Sequence, residues 1–288
     1  MTDRLVWERD GRDWPNRRAS RFVQAAGMRW HVQVMGAGPV LLLLHGTGAS
    51  THSWRALAPL LATRFTVVAP DLPGHGFTSL PPPFRLSLPE MARSVAALLQ
   101  ALDLQPAFAA GHSAGAAILV RLCLDGAIAP RCLISLNGAL LPMQGLAGEV
   151  FAPAAKLLAC MPLVPRVFAS WVGDRPAVER LIRDTGSRLD AEGITLYWRL
   201  ARTPSHVAGA LGMMANWNLR SLRADLPRLQ TPLVLIVGDN DRSIPPADAT
   251  VVRSLLPGAR IVTLPRLGHL AHEEQPELCA TLISEAAA

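Results

Sequence analysis

Residues 111–115 read Gly-His-Ser-Ala-Gly, a G-x-S-x-G pattern with small residues on both sides of one serine. An apolar run, residues 107–110, leads into the pattern, and a helix-like apolar run, residues 114–120, follows it. A serine at such a sharp strand-to-helix turn has strained backbone angles, and the two glycines leave the space that the turn needs. The pattern predicts a nucleophile elbow that presents Ser113 at the start of a helix. An ordinary glycine-containing turn is the alternative, and the rest of the chain decides between the two.

Apolar runs and helical patterns alternate from residue 40 onward. Val40–Leu44 is apolar without alternation, which is typical of a strand covered on both faces in a parallel sheet. Residues 87–90 read Ser-Leu-Pro-Glu, a capping box that predicts the start of a helix. Strands are predicted at 21–25, 28–34, 40–44, 65–69, 107–110, 132–136, 232–238 and 260–264, and helices at 54–61, 87–102, 114–124 and 251–256. The alternation predicts an α/β protein with a mostly parallel, doubly wound sheet.

A small-residue loop, residues 45–50, follows the strand at 40–44 and reads His-Gly-Thr-Gly-Ala-Ser. Loops at the carboxyl edge of an open α/β sheet are where sites usually form. The H-G-x-G form predicts that the backbone amide of Thr47 points at the same oxygen as the amide of Ala114, so that together they form an oxyanion hole. A glycine-rich β-to-α turn without a ligand is the alternative.

Two aspartates follow the predicted strand at 232–238, and either could orient a catalytic base. We choose Asp241, because the G-x-x-D-x-x-x-P spacing from Gly238 is the commoner placement for this acid, and we expect Asp239 to be a turn residue. Asp71, in an earlier tight loop, is expected to be structural, because aspartates in such turns accept hydrogen bonds from nearby backbone amides.

A histidine after Gly268, in the loop beyond the last predicted strand, is the expected general base, which gives the chain order Ser113, Asp241, His269. His272 is its rival, and the H-x-x-H spacing also resembles a metal pair. The sequence offers no third metal-binding side chain in a matching context, so we expect no metal site. We expect His272 to begin the last helix. His112 is expected to pack or to line the pocket.

These residues together predict a reaction. His269 removes the proton of Ser113 as its oxygen attacks a carbonyl, Asp241 holds the imidazole, and the amides of Thr47 and Ala114 hold the oxyanion. The product is an acyl-enzyme, which water activated by His269 then releases.

From about residue 140 to about residue 222 the alternation stops, and the chain is helical in character with repeated prolines. We expect a helical cap, inserted after the sixth strand of a single domain that spans residues 1–288. Its large apolar side chains pack between cap and body, or they favour a bulky apolar substrate or a lipid-facing surface. These side chains are Phe151, Phe168, Trp171, Trp198, Met213, Met214 and Trp217.

Missing motifs, cysteine spacing and net charge narrow the possible functions. The chain has no phosphate loop, no dinucleotide fingerprint and no basic segment interleaved with aromatic residues, so we expect no nucleotide cofactor and no nucleic acid partner. The four cysteines, which are expected to be buried thiols, show no metal or disulfide spacing. They are Cys123, Cys132, Cys160 and Cys279. The formal charge of +6, almost all of it arginine, fits an anionic substrate or an acidic lipid surface as well as an ordinary solvated surface.

No apolar run reaches 18 residues, and the arginine-rich first 21 residues lack the apolar segment of a signal peptide. We therefore expect a cytoplasmic protein, with any contact to the inner membrane limited to its surface.

The chain resembles the α/β-hydrolase-fold superfamily and, within it, the BchO-type magnesium chelatase accessory proteins of bacteriochlorophyll-making bacteria. The resemblance lies in residues 12–17, 45–54, 71–78, 111–119, 135–142, 213–219 and 267–276. The hydrolase motifs among these stretches specify fold and triad, whereas the Trp-Pro-Asn opening at 14–16 and the cap stretches point to the narrower family. The resemblance implies a role near magnesium insertion into protoporphyrin, with a porphyrin-like substrate and association with magnesium chelatase.

Three functional hypotheses stay open. The chain is a serine hydrolase acting on an ester in this pathway, a porphyrin-binding or delivery module that does not use its triad, or a general carboxylesterase for small substrates. The intact set of Ser113, Asp241 and His269 favours the first.

Overall fold

The apolar run Val40–Leu44 forms an inner strand of an eight-stranded sheet in the computed structural model, which describes residues 3–142, Pro165 and residues 174–288. The strands are β1 Ser20–Ala25, β2 Met28–Met35, β3 Val40–Leu44, β4 Thr66–Pro70, β5 Phe108–His112, β6 Cys132–Leu136, β7 Leu233–Gly238 and β8 Arg260–Leu264. Their order across the sheet is β1-β2-β4-β3-β5-β6-β7-β8. Strand β2 pairs antiparallel with β1 and with β4, and every later pairing is parallel. The predicted α/β class and the mostly parallel sheet are confirmed.

Eleven α-helices occur within the described residues. They are α1 Trp7–Asp10, α2 Leu57–Leu61, α3 Leu88–Ala101, α4 Ala114–Leu124, α5 Arg175–Asp184, α6 Ala191–Ala201, α7 Pro204–Asn216, α8 Arg220–Asp225, α9 Asp248–Leu255, α10 Ala271–Glu274 and α11 Pro276–Ala286. Within the same residues, none is both long and apolar enough to cross a bilayer.

The core lies on both faces of the sheet. Leu42 and Leu44 belong to one buried cluster and pack with α3 and α4, whereas Leu41 and Leu43 belong to a second cluster with α2 and α11. Successive side chains of a strand point to opposite faces, so a run without polar alternation requires cover on both. The interpretation of residues 40–44 as a doubly covered strand is confirmed.

Helices α5 to α8 stand between β6 and β7, where the sequence predicts a cap. The segment 143–173, which includes Phe151, Cys160, Phe168 and Trp171, lies outside the described residues except for Pro165. The division into one domain with a cap at 140–222 stays a prediction.

The helix predicted to start at the capping box is confirmed, since Ser87 is the N-cap of α3. Its side chain caps no amide, and its hydroxyl donates to the carbonyl of Phe84 at 3.3 Å. Another local prediction is wrong in detail. The predicted helix at 54–61 is a 3₁₀ turn, Thr51–Trp54, followed by the shorter α2. Tertiary contacts hold that turn, since the indole of Trp14 donates to the Thr51 hydroxyl at 3.1 Å.

Three of the four cysteines lie in the described part of the chain, and all three are free thiols. Cys132 and Cys279 are buried as expected, whereas Cys123 is half-buried. Burial raises the pKa of the Cys279 thiol to about 12, so that this thiol stays protonated and unreactive at neutral pH.

Candidate active site

Five loops meet at the carboxyl edge of the sheet, because β3, β5, β6, β7 and β8 are parallel. The loop after each strand supplies one residue of interest: Thr47, Ser113, Asn137, Asp241 and His269. This is the edge where open α/β sheets carry their sites.

Ser113 has φ 51° and ψ −119°, in a region that residues other than glycine rarely adopt. Neighbouring strands and turns hold it there. Its amide donates to the carbonyl of Leu136 at 3.1 Å, and its carbonyl accepts from the amides of Ala116 at 3.1 Å and Ala139 at 3.0 Å. Strain of this kind persists only where the surroundings over-determine the conformation, and it is concentrated at functional sites.

The two glycines of the motif are required by close packing. A Cβ on Gly115 would lie 2.1 Å from the carbonyl oxygen of Leu44, and one on Gly111 would lie 2.5 Å from the amide nitrogen of Ala116. Both contacts are with backbone, which cannot rotate away. The expectation that these glycines provide the space for the turn is confirmed.

The amides predicted to form an oxyanion hole are available for a ligand. Among the described residues, neither the N–H of Thr47 nor that of Ala114 donates a hydrogen bond. Ala114 is the first residue of α4, where the helix dipole favours negative charge. A Cβ on Gly46 would lie 2.9 Å from Ser113 Cβ, so the loop carrying Thr47 closely approaches the elbow.

Asp241 is buried and accepts four hydrogen bonds. Its Oδ2 accepts from His269 Nδ1 at 2.8 Å and from Asn137 Nδ2 at 2.8 Å. Its Oδ1 accepts from the amides of Ser243 at 2.8 Å and Ile244 at 2.9 Å. These four donors fix the orientation of the carboxylate.

The other two aspartates occupy the structural positions that the sequence predicts. Asp239 accepts from the amide of Arg266 in a turn. Asp71 is fully buried and accepts from the amides of Thr51 at 2.7 Å and Phe77 at 2.9 Å, and from His31 Nδ1 at 2.8 Å. Its interaction with the buried His31 ring helps to hold its pKa far below the usual value for an aspartate.

His269 and Ser113 line the same cavity. The bond to Asp241 occupies Nδ1 of His269, so the imidazole carries its proton there and Nε2 is left as the acceptor. No hydrogen bond joins Ser113 to His269 within residues 3–142 and 174–288. Catalytic hydrogen bonds are often long without substrate and tighten when it binds, so this spacing does not exclude the pair.

His112 and His272 are buried and uncharged. His112 lines the cavity, as expected, and its Nε2–H donates to the carbonyl of His269 at 2.9 Å. Burial and the nearby His272 and His269 hold the pKa of His112 well below its usual value. The expectation that His272 begins the last helix is wrong, since it is the second residue of the short helix α10 and the last helix begins at Pro276. Its Nε2 donates to the hydroxyl of Ser53 at 2.8 Å, and its pKa is lowered to about 3, mainly by burial.

Among the residues that the structure describes, neither histidine forms part of a metal cluster. The described residues hold no group of three or more histidine, cysteine or acidic side chains that could bind a metal ion.

No sequence motif marks the junction between the segment after α5 and the loops that carry Asp241 and His269. The carbonyl of Thr185, after α5, accepts from the amides of Arg242 at 3.1 Å and His269 at 3.3 Å. The hydroxyl of Ser187 accepts from the amide of Leu270 at 2.8 Å. The segment after α5 is therefore bonded to the loops after β7 and β8.

No sequence motif marks His206, on α7, either. Its Nδ1 accepts from the amide of Gly76 at 3.0 Å, and its Nε2–H donates to the carbonyl of Gly48 at 3.0 Å. Burial lowers the pKa of His206 to about 4, so the ring is neutral and can accept and donate at once. It joins the cap to the loop that carries Thr47.

The cavity above Ser113 has a volume of about 290 Å³. Most of its lining is apolar: Ala49, Val178, Leu181, Ile182, Ala201, Val207, Ala210, Leu211, Met214 and Leu270. The hydroxyl of Tyr197 donates to Glu273, and that of Thr185 donates to Ile182. The lining thus presents few free polar groups besides those of the predicted site.

Comparison with known proteins agrees with this fold. Residues 39–276 match the sequence model of the alpha/beta hydrolase fold family. The chain is 41% identical over 265 residues to the magnesium-chelatase 30 kDa subunit of Rhodobacter capsulatus, which covers 91% of this chain and 92% of that protein. It is 28% identical over 259 residues to a pimeloyl-[acyl-carrier protein] methyl ester esterase of Aeromonas hydrophila, covering 85% of this chain and 94% of the esterase.

A solved structure shows the same fold. An alpha/beta hydrolase fold protein from Burkholderia ambifaria superposes with a TM-score of 0.78 at 24% identity, covering 93% of this chain and 97% of that one. The resemblance drawn from the sequence motifs is confirmed: the chain belongs to the alpha/beta hydrolase fold family, as a relative of the magnesium-chelatase 30 kDa subunit.

Proposed function

We propose that this protein is a serine hydrolase that cleaves an ester through a covalent acyl-enzyme. One observation carries the proposal. His269 is bonded to the buried Asp241 and shares a cavity with Ser113, whose backbone is held at φ 51°. A nucleophile beside a base that a third group orients is the arrangement that activates a serine.

In the first step Ser113 Oγ bonds to the ester carbonyl carbon, and its proton passes to His269 Nε2. Asp241 stabilises the imidazolium that forms, and the carbonyl oxygen becomes an oxyanion that accepts from the amides of Thr47 and Ala114. When the tetrahedral species collapses, the alcohol leaves with the proton of His269, and the acyl group stays on Ser113.

In the second step His269 takes a proton from water, whose oxygen attacks the acyl carbon. The same two amides hold the second oxyanion. The acid is released, and Ser113 Oγ recovers its proton from His269.

The substrate proposed is an ester of a porphyrin or a related intermediate in bacteriochlorophyll biosynthesis. The relative named as a magnesium-chelatase subunit supports this pathway and an association with magnesium chelatase. The mainly apolar cavity suits an apolar group beside the carbonyl, and a formal charge of +6 suits substrate carboxylates.

A non-catalytic role in binding or delivering a porphyrin is the second candidate. The same relative favours it, because the name describes a subunit rather than a hydrolase. A general carboxylesterase is the third candidate, and the esterase relative favours that one.

Reaction of the purified protein with a fluorophosphonate probe tests the proposal. We expect labelling of the wild type, none of Ser113→Ala, and almost none of His269→Ala. Ser254→Ala, at an exposed serine whose hydroxyl donates to the carbonyl of Val251 on α9, is the matched control and keeps the wild-type rate. A wild-type protein that does not label overturns the hydrolase proposal.

Two further measurements separate the three candidates. Pigment synthesis that continues in cells carrying Ser113→Ala, together with porphyrin binding by that variant, supports the delivery role. Turnover of small esters with no change in pigment synthesis when the chain is deleted supports the carboxylesterase.

A further inference from the structure

A second, much smaller cavity adjoins Asp241, with about 20 Å³ of space for a water molecule. Besides Asp241, three polar side chains line it: Ser135 on β6, Asn137 just after β6, and Asp248 at the start of α9. The rest of its wall is largely apolar. About 10–15 Å³ is enough for one water, provided that two to four polar partners are present.

The orientation of the Asn137 amide is fixed by chemistry. A carboxylate only accepts, so the atom of Asn137 that lies 2.8 Å from Asp241 Oδ2 is the NH₂ group. The amide oxygen Oδ1 is therefore the atom left over. Both this oxygen and the hydroxyl of Ser135 are buried, and neither has a hydrogen-bond partner among residues 3–142, 165 and 174–288.

Both residues are almost completely buried, at 1% exposure for Ser135 and 2% for Asn137. A buried polar atom without a hydrogen bond destabilises a protein by about 1–3 kcal/mol, and ordered water is the usual remedy. Asp241 needs no such water, since its oxygens already accept four bonds.

We propose that one structural water occupies this cavity, bonded to Ser135 Oγ, Asn137 Oδ1 and the Asp248 carboxylate, and that Asn137 is a positioning residue for Asp241. Its role in the reaction rests on the proposed hydrolase function. The water holds the amide by its oxygen, and the NH₂ group holds Asp241 Oδ2 where it meets His269. Asn137 suits this place because its backbone has φ 46°, a left-handed conformation that asparagine tolerates better than most residues.

The Asp248 carboxylate fits the third position. Burial and the charge of Asp241 raise its pKa, so a water that donates to it satisfies a group that lacks full solvation. Of the three hydrogen bonds, the water accepts one from Ser135 and donates the other two.

The activity test uses the rate of fluorophosphonate labelling as a function of pH. Asn137→Leu removes the donor to Asp241, and we expect a rate about tenfold lower. Asn137→Asp puts a second carboxylate beside the first, so the pair retains a proton to higher pH. The acidic limb of its rate profile should therefore shift to higher pH, which a purely structural role would not cause.

Asn218→Leu, at an exposed asparagine before α8, is the matched control and should label at the wild-type rate with an unchanged profile. The thermal midpoint of each variant shows whether it is folded. If Asn137→Leu does not fold, the pH profile of the near-isosteric Asn137→Asp still tests whether Asn137 positions Asp241. A wild-type rate and profile in the folded Asn137 variants overturns the positioning role.

The water is tested without activity. A high-resolution crystal structure of the wild type should show one water within hydrogen-bond distance of Ser135 Oγ and Asn137 Oδ1, and Ser135→Ala should weaken or remove it. Wild-type density that shows no such water overturns that half of the proposal. Failure of labelling in the wild type bears on the hydrolase function alone.

Discussion

The proposed nucleophile and the proposed acid–base pair are held in place in different ways. Ser113 is fixed by the turn it belongs to and by the strands beside it, through the amide of Ala116 and the carbonyl of Leu136. His269 and Asp241 are fixed by residues far away in sequence. Asn137 contacts Asp241 from the loop after β6, and Thr185 contacts both of their loops from the cap.

The difference has a consequence for motion. The elbow is part of the sheet and of helix α4, so it should stay formed as long as the core does. The acid and base loops depend on α5 and α6 as well, and local opening of a protein begins in the elements with the fewest buried contacts. We expect the nucleophile to be the fixed partner and the base to be the adjustable one.

The largest effect should come from breaking the elbow itself. A Cβ on Gly115 would lie 2.1 Å from the Leu44 carbonyl oxygen, so Gly115→Ala forces α4 away from β3. We expect the free energy of unfolding to fall by about 3 kcal/mol or more. Urea unfolding measures it, with Gly258→Ala as the control, because a Cβ there meets nothing within 4 Å. Equal losses in the two variants would contradict the assignment of a close backbone contact.

The elbow was predictable because its determinants are local. The five residues 111–115 include both glycines, and the apolar run before them and the helix after them are read directly from the sequence. The strand at 40–44 was predictable for the same reason, because five consecutive leucine or valine side chains require cover on both faces.

The supports of the acid–base pair left no such signal. The carbonyl of Thr185 acts through backbone, which any residue would supply, and His206 has no neighbouring motif that marks it. The capping box at residues 87–90 correctly predicts the start of α3, but its side-chain bond does not form, and the serine hydroxyl donates to an acceptor in the preceding turn. Long-range contacts decide these positions, and a single sequence does not display them.

Low pH should destabilise the elbow and the acid–base loops together. All eight histidines are buried, and burial lowers the pKa of six of them: His45, His52, His75, His112, His206 and His272. A folded pKa below the unfolded value of about 6.5 means that the unfolded chain binds more protons between the two values. Stability is therefore complete above about pH 6.5 and falls as the pH decreases toward 4.

Urea unfolding at pH 7.5 and pH 5 measures this loss of unfolding free energy. We expect it to be larger than the loss caused by any single substitution among the contacts that hold Asp241 and His269. His206→Gln, which removes one of the six, should lower stability at pH 7.5 and reduce the difference between the two pH values. Equal stability at both values would show that the buried histidines do not oppose protonation.

A change at the junction formed by residues 185–187 should affect the acid–base loops and leave the elbow intact. Gly186 has φ +87°, and a Cβ there would lie 1.9 Å from the carbonyl oxygen of Asn240. Gly186→Ala should therefore displace the junction that holds His269, lowering the fluorophosphonate labelling rate about tenfold and the unfolding free energy by about 2 kcal/mol.

Gly126→Ala is the control for that change. Gly126 also has positive φ, +70°, but a Cβ there meets nothing within 4 Å, so the substitution adds backbone strain without the clash. It should reduce stability and leave the labelling rate unchanged. A wild-type rate in Gly186→Ala would mean that the cap does not position the base.

The smallest effect concerns the hydroxyl of Tyr197, the single tyrosine of the chain, which links α6 of the cap to Glu273 beside the base loop. Burial and the charge of Glu273 raise its pKa well above 10, so the folded protein should show no tyrosinate absorbance at the pH where a free tyrosine ionises.

Tyr197→Phe should lower the unfolding free energy by only about 1 kcal/mol, because Ser53 and Arg55 still donate to Glu273. Alkaline titration of the wild type tests the first expectation and urea unfolding of the variant the second. Tyrosinate that appears near pH 10 while the chain is still folded would show that α6 separates from the base loop, and the base would then be even less firmly held than the nucleophile.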